Sequence, residues 1–464
     1  MSLALRNSDL YTKLRSFAIE TFGVLANEAR DGLIPVYSQL AWQKEEQANG
    51  FARRQVNKPE YWLLIHRAIT QIKALPTYDL VAEAVRADDV WSKHIDTLVG
   101  SASGRSRIEL DSLLNGIALQ SAREPNGFAL SDEFFNNKVE RIEDFFCSEI
   151  VKFSRTTPLY GISSIERFSI TESISIEPLN DVDILELLEA GVISSQFGGM
   201  GGDFVHNIPR VALVSRYSLP KIIGEANGVD DIANLNSVTE LGIRLSADEA
   251  MVLEMLTLLL DVAITPIGSV TKSLDAMDGM RQIQKNGIGG AWALPTKDLT
   301  QEVKEKINAL WPLVSGSAKI AKNFLGIAIR RYALAMSRPS LDDKLIDLMI
   351  SAEAIFLRVD QNELTYKLAH RAALLLGTNS SQQKEIFKFI NDAYSMRSKV
   401  VHGAKSYTKE PRDIEKLSIT ISRLSELLRE SILKMLAIAL DPHAPSELID
   451  WKDLMFPEVA ISET

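Results

Sequence analysis

The sequence predicts a mostly α-helical protein in three parts, with strands confined to the middle. Three observations carry that reading. Apolar residues recur at three- and four-residue steps through the early and late parts of the chain, as on buried helix faces. Between them, short segments alternate apolar and polar residues, as half-buried strands do. At 464 residues the chain is too long for one hydrophobic core, so two or three domains are expected. The predicted parts are a helical N-terminal region at 1–155, a mixed α+β module at 156–335 and an antiparallel four-helix bundle at 336–445. A tail occupies 446–464.

In the first part, "LYTKLRSFAIETFGVLANEAR" (10–30) and "EYWLLIHRAITQIKAL" (60–75) carry the helical period. His66 and His94 fall in apolar-periodic segments and read as packed or partly exposed helix histidines, not ligands. At 154–164 the pattern breaks on Pro158 and Gly161, which marks a boundary. Phe168, Ile170, Ile174 and Ile176 then alternate with polar residues. A short helix at 180–191 starts on an Asn/Asp cap and stops at Gly191. Residues 210–219 alternate again through Val211, Leu213 and Tyr217. The next helix is expected to open at Ser246, whose spacing to Glu249 is that of a capping box.

The bundle is the most legible part. Ser340 and Asp343 stand at capping-box spacing before Leu341, Leu345, Leu348, Met349, Ala352 and Phe356. "NELTYKLAHRAALLLGTN" gives a second helix ended by Gly377 and Asn379. "SQQKEIFKFINDAYSMRSKVVHG" gives a third, ended by Gly403. The fourth, 411–440, starts with Pro411 and Asp413 and presents Leu417, Ile421, Leu424, Leu428, Ile432 and Met435 on one face. Four helices with short connections imply an antiparallel bundle.

Composition narrows the function classes. With 46% hydrophobic and 24% charged residues, this is the composition of an ordinary soluble globular protein. Cys147 is the one cysteine, so a disulfide framework within the chain is excluded and a reducing, cytoplasmic setting is expected. The first residues lack the apolar core of a secretory signal. The most apolar window, 251–270, contains Glu254, Asp261 and Pro266, so it reads as a buried helix and no membrane association is expected. A formal charge of −10 argues against nonspecific coating of nucleic acid. Residues 341–440 nevertheless hold 15 Lys and Arg against 13 Asp and Glu, so nucleic acid would be met locally. The glycine-rich stretches 194–204 and 285–292 lack the strand-to-helix setting of phosphate loops and read as connections. His206 has no acidic or cysteine partner at ligand spacing, and HExxH, paired CxxC and GxSxG are absent. No metal and no cofactor are therefore expected.

The chemistry concentrates at "NDAYSMRSKVVHGAKSYTK" (391–409). Arg397 and His402 form an R-x4-H pair beside the helix-ending Gly403. At about 100° per residue, five steps set the two side chains roughly 140° apart, so a straight helix would not bring them together. Either a loosened last turn or a second copy of the motif is needed. The arginine can clamp a phosphate through parallel hydrogen bonds, and a histidine suits proton transfer near neutral pH.

This R-x4-H spacing, with "LIDLMISAEAIFL", "YKLAHRAALLLG" and "MRSKVVHG" around it, resembles HEPN domains, and among them the ApeA-like HEPN proteins. The close resemblance covers about 100 residues; a vaguer one extends it upstream through 327–356. It implies a homodimer through the third helix, two Arg/His pairs lining one cleft, and metal-independent cleavage of RNA. The substrate's 2′-hydroxyl would attack and leave a 2′,3′-cyclic phosphate. It further implies a regulated toxin or anti-phage defence effector, with residues 1–335 sensing a trigger molecule, restraining the nuclease or recruiting substrate. On this reading His402 is the general acid or base and Arg397 the phosphate clamp. Ser398, Lys399, Lys405 and Tyr407 hold the backbone or stack a base. One departure stands out: catalytic HEPN domains usually carry Asn, Asp or His directly after the arginine, and here Ser398 does.

Blander readings stand beside these. His402 could cap its own helix by donating to a free carbonyl. Glu353 could pair with Arg371 across the bundle, with Tyr366 hydrogen-bonding nearby, as structural contacts. His370 and His443 have no motif partner. At the level of function the alternative is a non-catalytic HEPN module binding nucleotide, RNA or a protein partner, and a third possibility is a plain dimerisation bundle.

Overall fold

Helix α1 (Ser8–Glu28) begins where the Asn7 side chain accepts a hydrogen bond from the Leu10 amide at 3.0 Å, satisfying a donor that the first turn leaves free. The elements that follow are β1 (Val36–Glu45), β2 (Gly50–Pro59), α2 (Tyr61–Lys73), α3 (Pro76–Ala87), β3 (Leu98–Ser101), β4 (Gly104–Arg107), α4 (Leu110–Gln120), α5 (Asp132–Cys147) and β5 (Ile150–Tyr160). Next come β6 (Ile162–Ser163), β7 (Phe168–Ser169), β8 (Ile174–Pro178), α6 (Asp181–Glu189), β9 (Phe204–Val205), β10 (Val211–Pro220) and β11 (Ile222–Ile223). Then follow α7 (Gly228–Leu260), β12 (Thr265–Pro266), β13 (Gly268–Ser273), β14 (Arg281–Lys285) and β15 (Lys297–Asp298). The remainder is helical: α8 (Gln301–Val314), α9 (Phe324–Ser337), α10 (Leu341–Phe356), α11 (Leu364–Leu376), α12 (Ser380–Val401), α13 (Pro411–Ala439) and α14 (Trp451–Met455).

The computed structural model describes residues 6–29, 36–45, 50–101, 104–120, 129–193, 204–205, 208–224, 228–275, 281–285, 295–315, 324–357, 362–403, 407, 410–441, 448–449 and 451–455. Most of both glycine-rich stretches, His206, Lys405 and His443 lie outside the described residues. No helix among the described residues is long and apolar enough to cross a membrane. The chain is mostly helical with a mixed sheet region in its middle, and it divides into two compact units, each drawn from separated segments.

The first unit comprises 1–158, 179–245 and 267–287. Its core gathers Leu14, Phe17, Leu64, Val81, Trp91 and Phe135, so α1 to α5 close on one another. Fully burying a side chain of this size stabilises by about 1.5–3 kcal/mol. Asp88 ties the N-terminus to this core: it accepts from Asn7 Nδ2 at 2.9 Å, from the amides of Val90 and Trp91 at 2.9 and 3.0 Å, and from Arg6. Burial opposes its charge, but these donors outweigh that cost and hold the carboxyl well down, to about 2. His94 is buried, stacked on Phe146 at 4.3 Å, with Nδ1 2.8 Å from the Val90 carbonyl, so it is a packed core histidine.

This unit also holds hairpins within the region expected to be helical. β1 and β2 pair antiparallel from Val36↔Pro59 to Glu45↔Gly50, and β3 and β4 pair from Leu98↔Arg107 to Ser101↔Gly104. The larger sheet runs in the order β14-β13-β5-β10. Val211 to Ser215 on β10 are all buried, so this strand is covered on both faces instead of alternating. Helix α6 starts on the Asn cap expected of it and goes further, to a full capping box: Asn180 accepts from the Val182 and Asp183 amides, and the Asp183 carboxylate accepts from the Asn180 amide. Helix α7 starts at Gly228, not at Ser246, which lies inside it.

The second unit comprises 159–178, 246–266 and 288–464. Gly161 sits at φ +91°, and a Cβ there would stand 2.3 Å from the Ala263 carbonyl oxygen, so only glycine fits. Helices α9 to α13 pack together, with α9 laid along α10 and α11 along α12. Ser340 caps α10, Asn379 caps α12, and Pro411 takes the first position of α13. Buried Asp347 accepts from Arg331 at 2.8 Å and Arg338 at 2.9 Å, which fixes the turn between α9 and α10. The end of α7 is held by three side chains. Arg429 donates to the Leu258 and Leu259 carbonyls at 2.7 and 2.8 Å, and Tyr332 donates to Asp261 at 2.8 Å. Burial, reinforced by the Asp261 charge, pushes the Tyr332 hydroxyl upward. Trp451 of α14 lies 5.9 Å from the Phe356 ring and under the Arg371 guanidinium, so part of the expected tail belongs to this core.

Candidate functional site

The R-x4-H pair falls where α12 ends. This helix offers Ile386, Ile390, Ala393 and Met396 to the core, a stripe of three- and four-residue steps that fixes its rotation. Arg397, one position past Met396, is therefore half-buried. Its Nη2 lies 3.8 Å from Glu353 Oε1 on α10, and its guanidinium carbon lies 5.9 Å from the centre of the Tyr394 ring. Its Nε is buried and has no hydrogen-bond partner among the described residues. Tyr394 hydrogen-bonds Glu353, and burial together with that carboxylate raises the phenol above its ordinary value.

Glu353 thus serves Arg397 and Tyr394, not Arg371. Arg371 instead donates to the Phe356 carbonyl and stacks on Trp451. Tyr366 is 55% exposed; it stacks on His370 with ring centres 5.5 Å apart and meets Phe387 edge-on at 5.7 Å.

His402 is the C-cap of α12, closed by its backbone: its amide donates to the Ser398 carbonyl at 3.1 Å. Gly403 follows at φ +67°, the left-handed turn that ends many helices, and its amide donates to Val400 at 3.0 Å. The cap is therefore a main-chain one. The His402 side chain is exposed and makes no hydrogen bond among the described residues. No hydrogen bond joins it to Arg397, as their angular separation on the helix requires.

Around the pair, Ser398 is half-buried and Lys399 is exposed in the last turn. Tyr407 is 5% exposed, which leaves its ring no open face for a base. The arrangement is thus a half-buried cation held loosely by one carboxylate, and about one and a half turns on an exposed imidazole at a helix end.

Sequence reasoning located Arg397 and His402 but missed Tyr394, whose i, i+3 spacing to Arg397 was the available signal. It named Glu353 but gave it the wrong partner. No family model matches the chain, no curated protein matches it, and no solved structure matches it.

Proposed function

We propose that the chain is a metal-independent endoribonuclease of the HEPN type, acting through a composite site at a homodimer interface. The observation that carries this reading is the placement of the two groups. Arg397 is a cation with a weak partner, at 3.8 Å from Glu353, and His402 is an open imidazole at the end of the same helix. A phosphate offers Arg397 two oxygens at hydrogen-bond distance and so competes with that long contact. The imidazole of a second copy then supplies the proton transfer that one helix cannot aim at the same phosphate.

In the reaction, the ribose 2′-oxygen bonds to the adjacent phosphorus as its proton leaves to a base. The P–O5′ bond breaks, the 5′-oxygen gains a proton, and a 2′,3′-cyclic phosphate remains. His402 takes one of these proton transfers, and Arg397 stabilises charge on the non-bridging oxygens. On this reading half-buried Ser398 and exposed Lys399 hold the backbone. The remaining parts of the chain restrain the nuclease or sense its trigger, as a toxin or anti-phage effector requires. Incubation of full-length protein with labelled transfer RNA in EDTA should give cyclic-phosphate ends, lost in His402→Ala and Arg397→Ala. Light scattering should find a dimer; a strict monomer would count against the composite site.

Two observations favour a second reading, a non-catalytic HEPN module that binds nucleotide, RNA or protein. Arg397 already has a carboxylate partner, and the residue after it, Ser398, is a poor proton carrier. Tight RNA binding without cleavage would select it.

A further inference from the structure

Arg331 and Arg338 show how this helical unit holds an arginine for structure. Both close on buried Asp347, at 2.8 and 2.9 Å. Arg397 is held differently. Its Nη2 stands 3.8 Å from Glu353 Oε1, beyond hydrogen-bond distance, and the two side chains are 23% and 28% exposed. Its Nε is sealed from solvent with no partner among the described residues. A buried donor without a partner costs stability, so the contact is poorly made on both counts.

The shape of the guanidinium makes this contact matter for any phosphate. Its N–H groups form two forks, Nε with Nη2 and Nη1 with Nη2. Both use Nη2. A bidentate clamp on a phosphate therefore needs the atom that faces Glu353, whichever fork it employs. The carboxylate has a second tie, because the Tyr394 hydroxyl donates to it. Tyr394 stands three residues before Arg397 on α12, and Glu353 lies on α10. The carboxylate thus stays tied to the bundle when the guanidinium turns away, and it meets the incoming phosphate as a like charge.

We infer that Glu353 is an internal anion that occupies Arg397 in the resting bundle, an autoinhibitory latch that an RNA phosphate has to displace. The inference rests on the reading of Arg397 as phosphate clamp and adds the control of that clamp. It gives the carboxylate partner of Arg397 a place in a working nuclease, weak enough to be displaced and tethered well enough to return. The restraint falls on binding, since His402, exposed at the helix end, has no part in the contact.

The test uses the full chain in a His402→Ala background and a fluorescein-labelled single-stranded RNA heptamer, with affinity read by anisotropy. Glu353→Gln should bind about fivefold more tightly than this parent, the upper end for an ion pair of such exposure. Glu353→Asp keeps the charge and draws it back by one methylene. It should fall between the two, and it decides the matter should the glutamine variant not fold. The gain should vanish in Arg397→Ala, whose clamp is gone. With His402 restored, Glu353→Gln should lower KM for the RNA about fivefold and leave kcat unchanged, as removal of a competitor does. A role for Glu353 in positioning Arg397 would instead weaken binding and lower kcat, and would overturn the latch. A gain that persists in Arg397→Ala, equal binding by parent and variants, or no binding by any of them would overturn it too. Equal binding with cleavage intact would leave the nuclease standing. A gain in affinity in a chain that never cleaves would keep the latch and sink the nuclease.

Discussion

Glu254→Gln should stabilise the protein, and only above mildly acidic pH. Glu254 lies on α7 among buried Met251, Val252, Met255 and Leu258, with its side chain 14% exposed. Among the described residues its charged partner is Arg330 Nε at 3.5 Å, and its other oxygen is buried without a hydrogen bond to any of them. Burial therefore raises the carboxyl from 4.5 to about 7, with Arg330 opposing only in part. The folded state holds this proton over the interval in which the unfolded state has lost it. Stability is then fully present below about pH 4.5 and is lost as pH rises towards 7. A shift of that size corresponds to about 3 kcal/mol. The pair lost with the substitution contributes less than about 1 kcal/mol, because Arg330 is 59% exposed. Urea unfolding at a series of pH values should show parent and variant equal near pH 4.5. By pH 8 the variant should lead by about 2–3 kcal/mol. A difference that stays constant with pH would refute the reasoning.

Asp88→Asn should act in the opposite sense. The carboxylate is held down to about 2, so its contribution, about 2 kcal/mol, is present above the ordinary aspartate value and lost as pH falls below it. The variant should unfold at lower denaturant at pH 7 and lose the steep acid limb between about pH 4 and 2, followed by circular dichroism. Gly161→Ala combines a strained φ with a Cβ 2.3 Å from a backbone oxygen, and should cost about 3 kcal/mol or more. A denaturation midpoint within error of the parent would show that the backbone there yields more easily than its geometry implies.

What was legible in the sequence was what local chemistry decides. Asn180 and Ser340 each mark a helix start because a cap satisfies amides within its own first turn, and Pro411 marks one because its fixed φ suits the first helical position, where it has no amide to leave free. Asn379, expected to end the second helix, instead caps the start of α12. Gly403 marks an end for the same kind of reason, a left-handed residue with no steric cost. Ser246 misled because the same spacing can sit inside a helix that already continues upstream, where no amide is free. The hairpin β1–β2 escaped because its ladder, not its apolar pattern, holds it: Tyr37 and Leu40 remain exposed, so no alternation betrays a buried face. Partners across the bundle were out of reach altogether. Whether Glu353 meets Arg371 or Arg397 depends on the rotation and axial offset of α10, α11 and α12, which the whole core sets.

RNA cleavage by the full chain in EDTA, compared with His402→Ala, tests the central claim most directly. The account predicts 2′,3′-cyclic phosphate ends from the parent and at least a hundredfold less from the variant, the contribution expected of one general acid–base group. Circular dichroism of the two should agree, because the His402 side chain is exposed and makes no hydrogen bond among the described residues. Cleavage of equal rate by the variant, or none by the parent dimer, would contradict it.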